Sequence, residues 1–156
     1  MTRLILMRHA KSEWGDMDLS DHDRPLNKRG RRAAETLGVW LRSNGYLPDL
    51  ALVSSAERTQ ETFALLKLKC PFQLERSLYL APPAELWRAA RDSGAANVLI
   101  IAHNPGIGEL SAAVTRPAPD HPGFYGYPTG ATLVVDVADF DAGFGRLVDF
   151  TVPRDL

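Results

Sequence analysis

The sequence predicts an α/β protein, a three-layer α/β/α sandwich around a mostly parallel sheet. Three observations carry that expectation. Four short apolar runs, Leu4–Met7, Leu50–Val53, Val98–Ala102 and Leu133–Val137, are continuous rather than alternating, as in strands covered on both faces. Segments with helical apolar spacing separate them. The resulting β-α-β-α-(β)-α-β-α-β order favours right-handed crossovers with helices on both faces of the sheet.

Each element has its own signal. The first strand, Leu4–Met7, runs straight into Arg8-His9-Ala10-Lys11-Ser12. A helix is expected over Lys28–Asn44: Ala33, Ala34, Leu37, Trp40 and Leu41 share a face, Asn27 can cap its start, and Gly45 stops it. The second strand, Leu50–Val53, leads to a helix over Ala56–Lys67, where Ser54 and Glu57 have capping-box spacing. Phe72–Glu75 is a lesser strand candidate, and Ala84–Ser93 reads as a third helix. After Val98–Ala102, Asn104 is placed to cap a helix over Pro105–Thr115, with Pro105 at its first position. The Pro- and Gly-rich segment Arg116–Gly130 reads as an irregular loop that either covers a site or only connects. Leu147–Val152 closes the series as an antiparallel edge strand.

Composition narrows the function classes. A chain of 156 residues without repeats or a linker suits one domain over residues 1–156. A formal charge of −1 argues against a general nucleic-acid binder, whose affinity needs many phosphate contacts. Cys70 is the only cysteine, so no intrachain disulfide forms and nothing points to an oxidising compartment. The apolar runs are too short for a signal-peptide core or a membrane span, so a cytoplasmic protein with no membrane partner is expected.

The polar residues at the strand ends are more informative. Open α/β sheets bind ligands beyond the carboxyl ends of their strands. Arg8 and His9 follow the first strand, Arg58 lies in the first turn of the helix after the second, and His103 follows Val98–Ala102. All four would face one edge of the sheet. Such a set suits phosphoryl transfer: a neutral imidazole is a nucleophile, and guanidinium groups bind the charged equatorial oxygens of the phosphoryl group. The scheme requires no metal and no cofactor.

These residues also carry a family resemblance. "LMRHAKS" is similar to the Arg-His-Gly signature of the histidine phosphatase (phosphoglycerate-mutase-like) superfamily, in the form found in its small phosphohistidine phosphatase, SixA-like, branch. "DHDRPLNKRG", "VSSAERTQET", "IIAHNPGI" and "YPTGATLVV" resemble further blocks of that branch, in family order and across nearly the whole chain. The resemblance implies a phosphoglycerate-mutase-like fold, His9 as the phosphorylated nucleophile, and Arg8, Arg58 and His103 around the phosphate. Ser12 falls where the superfamily often has a hydroxyl that touches phosphate. The implied partner is a phosphorylated protein, such as a component of a His–Asp phosphorelay.

Three departures from the family pattern bear on chemistry. Position 10 is Ala rather than Gly, and Gly15 stands where many mutases have Asn. No acid lies near Leu80, where the mutases place a proton-donating glutamate; Glu85 is further on, within the expected third helix. Asp18 and Asp21 remain outside candidates for a proton donor. An alkoxide leaving group benefits strongly from a positioned acid, whereas imidazole departs more easily. The missing acid therefore favours phosphohistidine over a sugar-phosphate ester.

Two rival functions use the same residues: a phosphatase of small phosphate esters, and a phosphate- or phosphoprotein-binding module without turnover. The presence of His9 with both arginines and His103 favours catalysis. Other patterns carry less. Asp16, Asp18 and Ser20 begin like a calcium loop, but the run lacks the Gly and Glu such a loop needs. His22 and His121 have no zinc-like spacing. The basic run Lys28–Arg32 reads as a solvated face, with guidance of an acidic or phosphorylated substrate as its functional alternative. Trp14 is assignable either to a pocket rim or to packing.

Overall fold

The computed structural model describes residues 1–156. Its sheet has seven strands: β1 (Thr2–Arg8), β2 (Leu50–Ser54), β3 (Phe72–Glu75), β4 (Asn97–Ala102), β5 (Thr115–Arg116), β6 (Thr132–Val137) and β7 (Gly145–Thr151), in the order β3-β2-β4-β1-β6-β7-β5. Four helices, α1 (Lys28–Ser43), α2 (Glu57–Leu66), α3 (Pro83–Asp92) and α4 (Gly106–Val114), complete the predicted three-layer sandwich. Four of the six strand pairings are parallel, and β6 runs antiparallel to both β1 and β7.

Alternation along the strands divides the core into two apolar layers. Leu4 and Leu6 of β1, with Val98 and Ile100 of β4 and Leu133 and Val135 of β6, pack on Leu86 of α3 and on Ile107 and Leu110 of α4. Ile5 and Met7, with Leu99, Ile101 and Val134, face Leu37 and Leu41 of α1 and Leu66 of α2. Both faces of these strands are buried, and this explains why they read as unbroken apolar runs.

Several local expectations need correction. The Ser54–Glu57 capping box does not form. Ala56 occupies the α2 cap position with no side-chain cap, because the Ser54 hydroxyl is committed to His103. Pro105 stands in the cap position of α4 rather than inside the helix, and Asn104 caps from one residue further out, its Oδ1 accepting the Gly108 N–H at 3.2 Å. The strand β7 is antiparallel to β6 as expected, but it is not the edge; β5 pairs with it in parallel and takes that place. The cap on α1 is as predicted, with Asn27 Oδ1 accepting the Gly30 N–H at 2.8 Å.

Two glycines hold loops against the sheet's upper edge. A side chain at Gly30 would collide with the backbone of Lys11, and one at Gly106 with the Ala81 carbonyl. The absence of a Cβ lets α1 rest on the loop after β1 and lets α4 rest on the Leu80–Ala81 turn. The helix expected to reach Thr115 ends at Val114, and Thr115 and Arg116 form β5; residues 117–130 are irregular, as expected, but they are no loose connection. Phe124 and Tyr127 are fully buried, and the Tyr127 hydroxyl donates to the Leu6 carbonyl at 2.6 Å.

Candidate active site

The parallel strands β1, β2 and β4 end at one edge, with Arg8 in register with Ala102 and Val53 with Ile101. The chain leaving β1 is pinned there. The His9 N–H donates to the Ala102 carbonyl at 3.1 Å, and the Gly130 N–H donates to the carbonyls of Arg8 and His9 at 3.1 and 2.9 Å. The Ala10 N–H donates to Thr62 Oγ1 at 3.1 Å, and Ala10 is not among the residues with positive φ, so the Gly-to-Ala departure costs no strain.

His9 Nδ1 lies 2.7 Å from the Ala10 carbonyl. A carbonyl only accepts, so Nδ1 carries the proton and Nε2 carries the lone pair. Arg58, whose side chain is 3% exposed, reaches both histidines: its Nε donates to His9 Nε2 at 3.3 Å and its Nη2 to His103 Nδ1 at 3.2 Å. His103 therefore has the opposite tautomer, and its Nε2–H donates to Ser54 Oγ at 2.7 Å. The two imidazole centroids are 5.3 Å apart. Arg8 Nη1 donates to the Tyr127 carbonyl at 3.1 Å, while its Nε is buried without a hydrogen-bond partner.

These side chains meet in a cavity of about 480 Å³. Arg8, His9, Ser12, Arg58 and His103 all line it, so every residue singled out for the site is gathered there. Ser12 accepts a hydrogen bond from Arg24, a buried cation that sequence reasoning passed over. Arg24 also donates to Asp21 at 3.0 Å and stacks its guanidinium on the Trp14 ring, 3.6 Å from the ring centroid. Trp14 is thereby fixed at the cavity mouth. Leu80, in a left-handed conformation (φ 51°), occupies the wall, and no Asp or Glu lines the cavity.

The proposed proton donors fare differently. Glu85 pairs with Arg88 at 3.0 Å and lines a separate depression, away from His9. Asp18 is exposed and makes only a turn with Asp16, to whose carboxylate its N–H donates. Asp21 is close but engaged: Arg58 and Arg24 donate to its two oxygens at 3.0 Å, and the Tyr79 hydroxyl donates to it as well. Burial alone would raise the pKa of Asp21, but these three hydrogen bonds and the Arg58 charge hold it below the ordinary carboxylate range. It is an ionised anchor for Arg58 and no proton source at neutral pH.

Burial lowers the pKa of His9 to about 3; the bond to Ala10 opposes this, and His103, Arg58 and Arg8 add to it. Burial lowers His103 to about 3 as well, with Arg58 the next contributor. Both imidazoles are therefore neutral at physiological pH. A neutral nucleophilic nitrogen beside three guanidinium groups, one with an unsatisfied donor, is an arrangement for binding and attacking a phosphoryl group. No helix is long and apolar enough to cross a membrane, and no group of three His, Cys, Asp or Glu side chains is placed to hold a metal ion.

Comparison with known proteins points the same way. The family model described as "Histidine phosphatase superfamily (branch 1)" matches residues 4–79. An uncharacterized protein of Mycobacterium tuberculosis is 34% identical over 164 residues, covering 95% of this chain and 100% of that protein. An uncharacterized chloroplastic protein of Arabidopsis thaliana is 44% identical over 80 residues; the match spans 51% of this chain and 37% of that longer relative. Among solved structures, the putative phosphohistidine phosphatase SixA from Agrobacterium tumefaciens superposes with a TM-score of 0.85 at 27% identity, covering 97% of this chain and 98% of that one.

Proposed function

The chain belongs to the histidine phosphatase superfamily, in its SixA-like branch, and on that footing we propose that it dephosphorylates protein phosphohistidine through a covalent intermediate on His9. Arg8 and Arg58 hold the equatorial oxygens of the phosphoryl group, and His103 joins them when its Nε2–H turns from Ser54 Oγ to a bound oxygen. Arg24 and Ser12 complete the wall, and the free Arg8 Nε is a donor that a bound oxygen would satisfy. The Arg58–His9 bond is long, at 3.3 Å, and a phosphoryl oxygen would take over that donor and release the Nε2 lone pair. His9 Nε2 then attacks phosphorus in line while the P–N bond of the substrate breaks. A substrate imidazole protonated on its other nitrogen leaves as neutral imidazole, taking the bonding pair. Water next attacks the phosphorus of phospho-His9, inorganic phosphate departs, and neutral His9 returns.

One observation carries the choice of substrate: a complete set of phosphate-binding cations without a carboxyl on the cavity wall. An alkoxide would leave such a site slowly, and imidazole needs no such acid. A phosphorylated protein of a His–Asp relay is the natural substrate class. Trapping labelled phosphate at alkaline pH tests the intermediate: label is expected on His9 and is lost in His9→Ala. Turnover of a phosphohistidine peptide should exceed that of 3-phosphoglycerate, and the reverse order would refute the substrate assignment. A His9→Ala variant with undiminished phosphate release would refute the mechanism.

A further inference from the structure

A second cavity of about 530 Å³ adjoins the first and shares Lys11, Pro128 and Thr129 with it. Its character differs. The catalytic cavity has buried donors converging on one point, whereas this groove has a carbon-rich floor that includes Ala33, Val152 and Pro153. Three exposed cations, Lys11, Arg29 and Arg154, line it as well, and none of them forms an ion pair. The one carboxylate in the lining, Asp155, is already held by His121 Nε2 at 2.7 Å. Three cations against one carboxylate leave the groove with an excess of positive charge beside an apolar surface.

We infer that this groove binds an acidic stretch of the polypeptide that carries the phosphorylated side chain. The inference rests on the phosphatase reading above and extends it to the substrate's surroundings. A bare phosphate would want dense, rigid donors, such as those around His9. Unpaired cations above prolines and valine suit a peptide that lays aliphatic stems on the floor and turns carboxylates toward the rim. Because the two cavities share a wall, a phosphorylated residue seated over His9 brings its chain neighbours across Pro128 and Thr129 into the groove. Arg29, within the basic run at the start of α1, acts there as a recognition charge.

The test compares two phosphohistidine peptides, identical except that one has Asp and Glu and the other Ser beside the phosphorylated residue. The acidic peptide should show kcat/KM about tenfold higher at low ionic strength. That advantage should vanish in about 0.5 M salt, where screening shortens the range of exposed charges to a few ångströms. It should also vanish in the double variant Arg29→Ser/Arg154→Ser, which should hydrolyse p-nitrophenyl phosphate within about twofold of the unmodified protein. Equal rates on both peptides, or an acidic preference that survives both substitutions, would overturn the groove assignment alone. A gain with a bisphosphorylated small molecule but not with the acidic peptide would overturn it too, by assigning the cations to a second phosphate. Failure to hydrolyse either peptide or the aryl phosphate would instead remove the phosphatase reading and this inference with it.

Discussion

On one side of β1 the sheet continues in parallel through β4, β2 and β3; on the other it turns antiparallel into β6 and β7. Arg8, His9, Arg58 and His103 all come from strand-to-helix junctions of the parallel half, and Ser12, Arg24 and Trp14 from the connection that leads out of β1. The antiparallel half and the loop before it supply a wall, Pro128 and Thr129, and backbone partners: the Tyr127 carbonyl for Arg8 and the Gly130 N–H for the end of β1. Strands that run the same way deliver their ends to the same place, so side chains distant in sequence meet. Antiparallel strands scatter their ends and contribute rigidity instead.

The sharpest way to break this division is to remove Arg58, which touches both histidines. Arg58→Ala should lower kcat/KM about a hundred- to a thousandfold in steady-state assays. Asp21 lines neither wall, yet it anchors Arg58. Asp21→Asn should cost about tenfold in kcat/KM and weaken inhibition by inorganic phosphate by a similar factor, as expected of a group that acts through another. If Asp21→Asn instead removed only an acidic or basic limb of the pH profile, it would be a proton carrier and not an anchor.

The pH dependence tests the buried histidines. With its pKa lowered to about 3, His9 stays neutral throughout the ordinary range, so its protonation produces no acid limb near pH 6.5 once the substrate's own ionisation is subtracted. Stability has the matching sign. Both histidines bind protons more readily unfolded than folded, so their contribution is fully present above about pH 6.5. It is lost progressively as pH falls toward 3, and thermal melts should show Tm falling through that window. The smallest effect on turnover belongs to the antiparallel half. Leu133→Ala in β6 removes a fully buried side chain and should destabilise by roughly 2–5 kcal/mol in denaturant titrations, while kcat per folded molecule stays within about twofold. A large loss of kcat there would blur the contrast between the two halves.

The same contrast explains what could be read from the sequence. The buried parallel strands announce themselves as apolar runs, and a charged residue directly after such a run has nowhere to go but the sheet's edge. That is why His9, Arg8 and His103 were legible without coordinates. Arg24 was not, because an arginine-proline pair in a polar loop looks solvated, and only its bonds to Ser12 and Asp21 pull it inward. Ser54 was misread for a related reason. Its spacing satisfied a local capping rule, but a partner 49 residues away competes for the hydroxyl. At the other edge, β5 is two residues long and has no periodicity to detect, so the sequence places the boundary at β7.

One contact has a consequence for regiochemistry. The Ala10 carbonyl occupies the proton-bearing nitrogen of His9, leaving only the ring position farther from the main chain open to the cavity. A phosphoryl group carried by this imidazole therefore resides on the tele nitrogen and never on the pros nitrogen, a distinction that phosphorus NMR resolves. The atom enforcing that isomer is part of the peptide backbone, so no replacement of the neighbouring side chain can delete it.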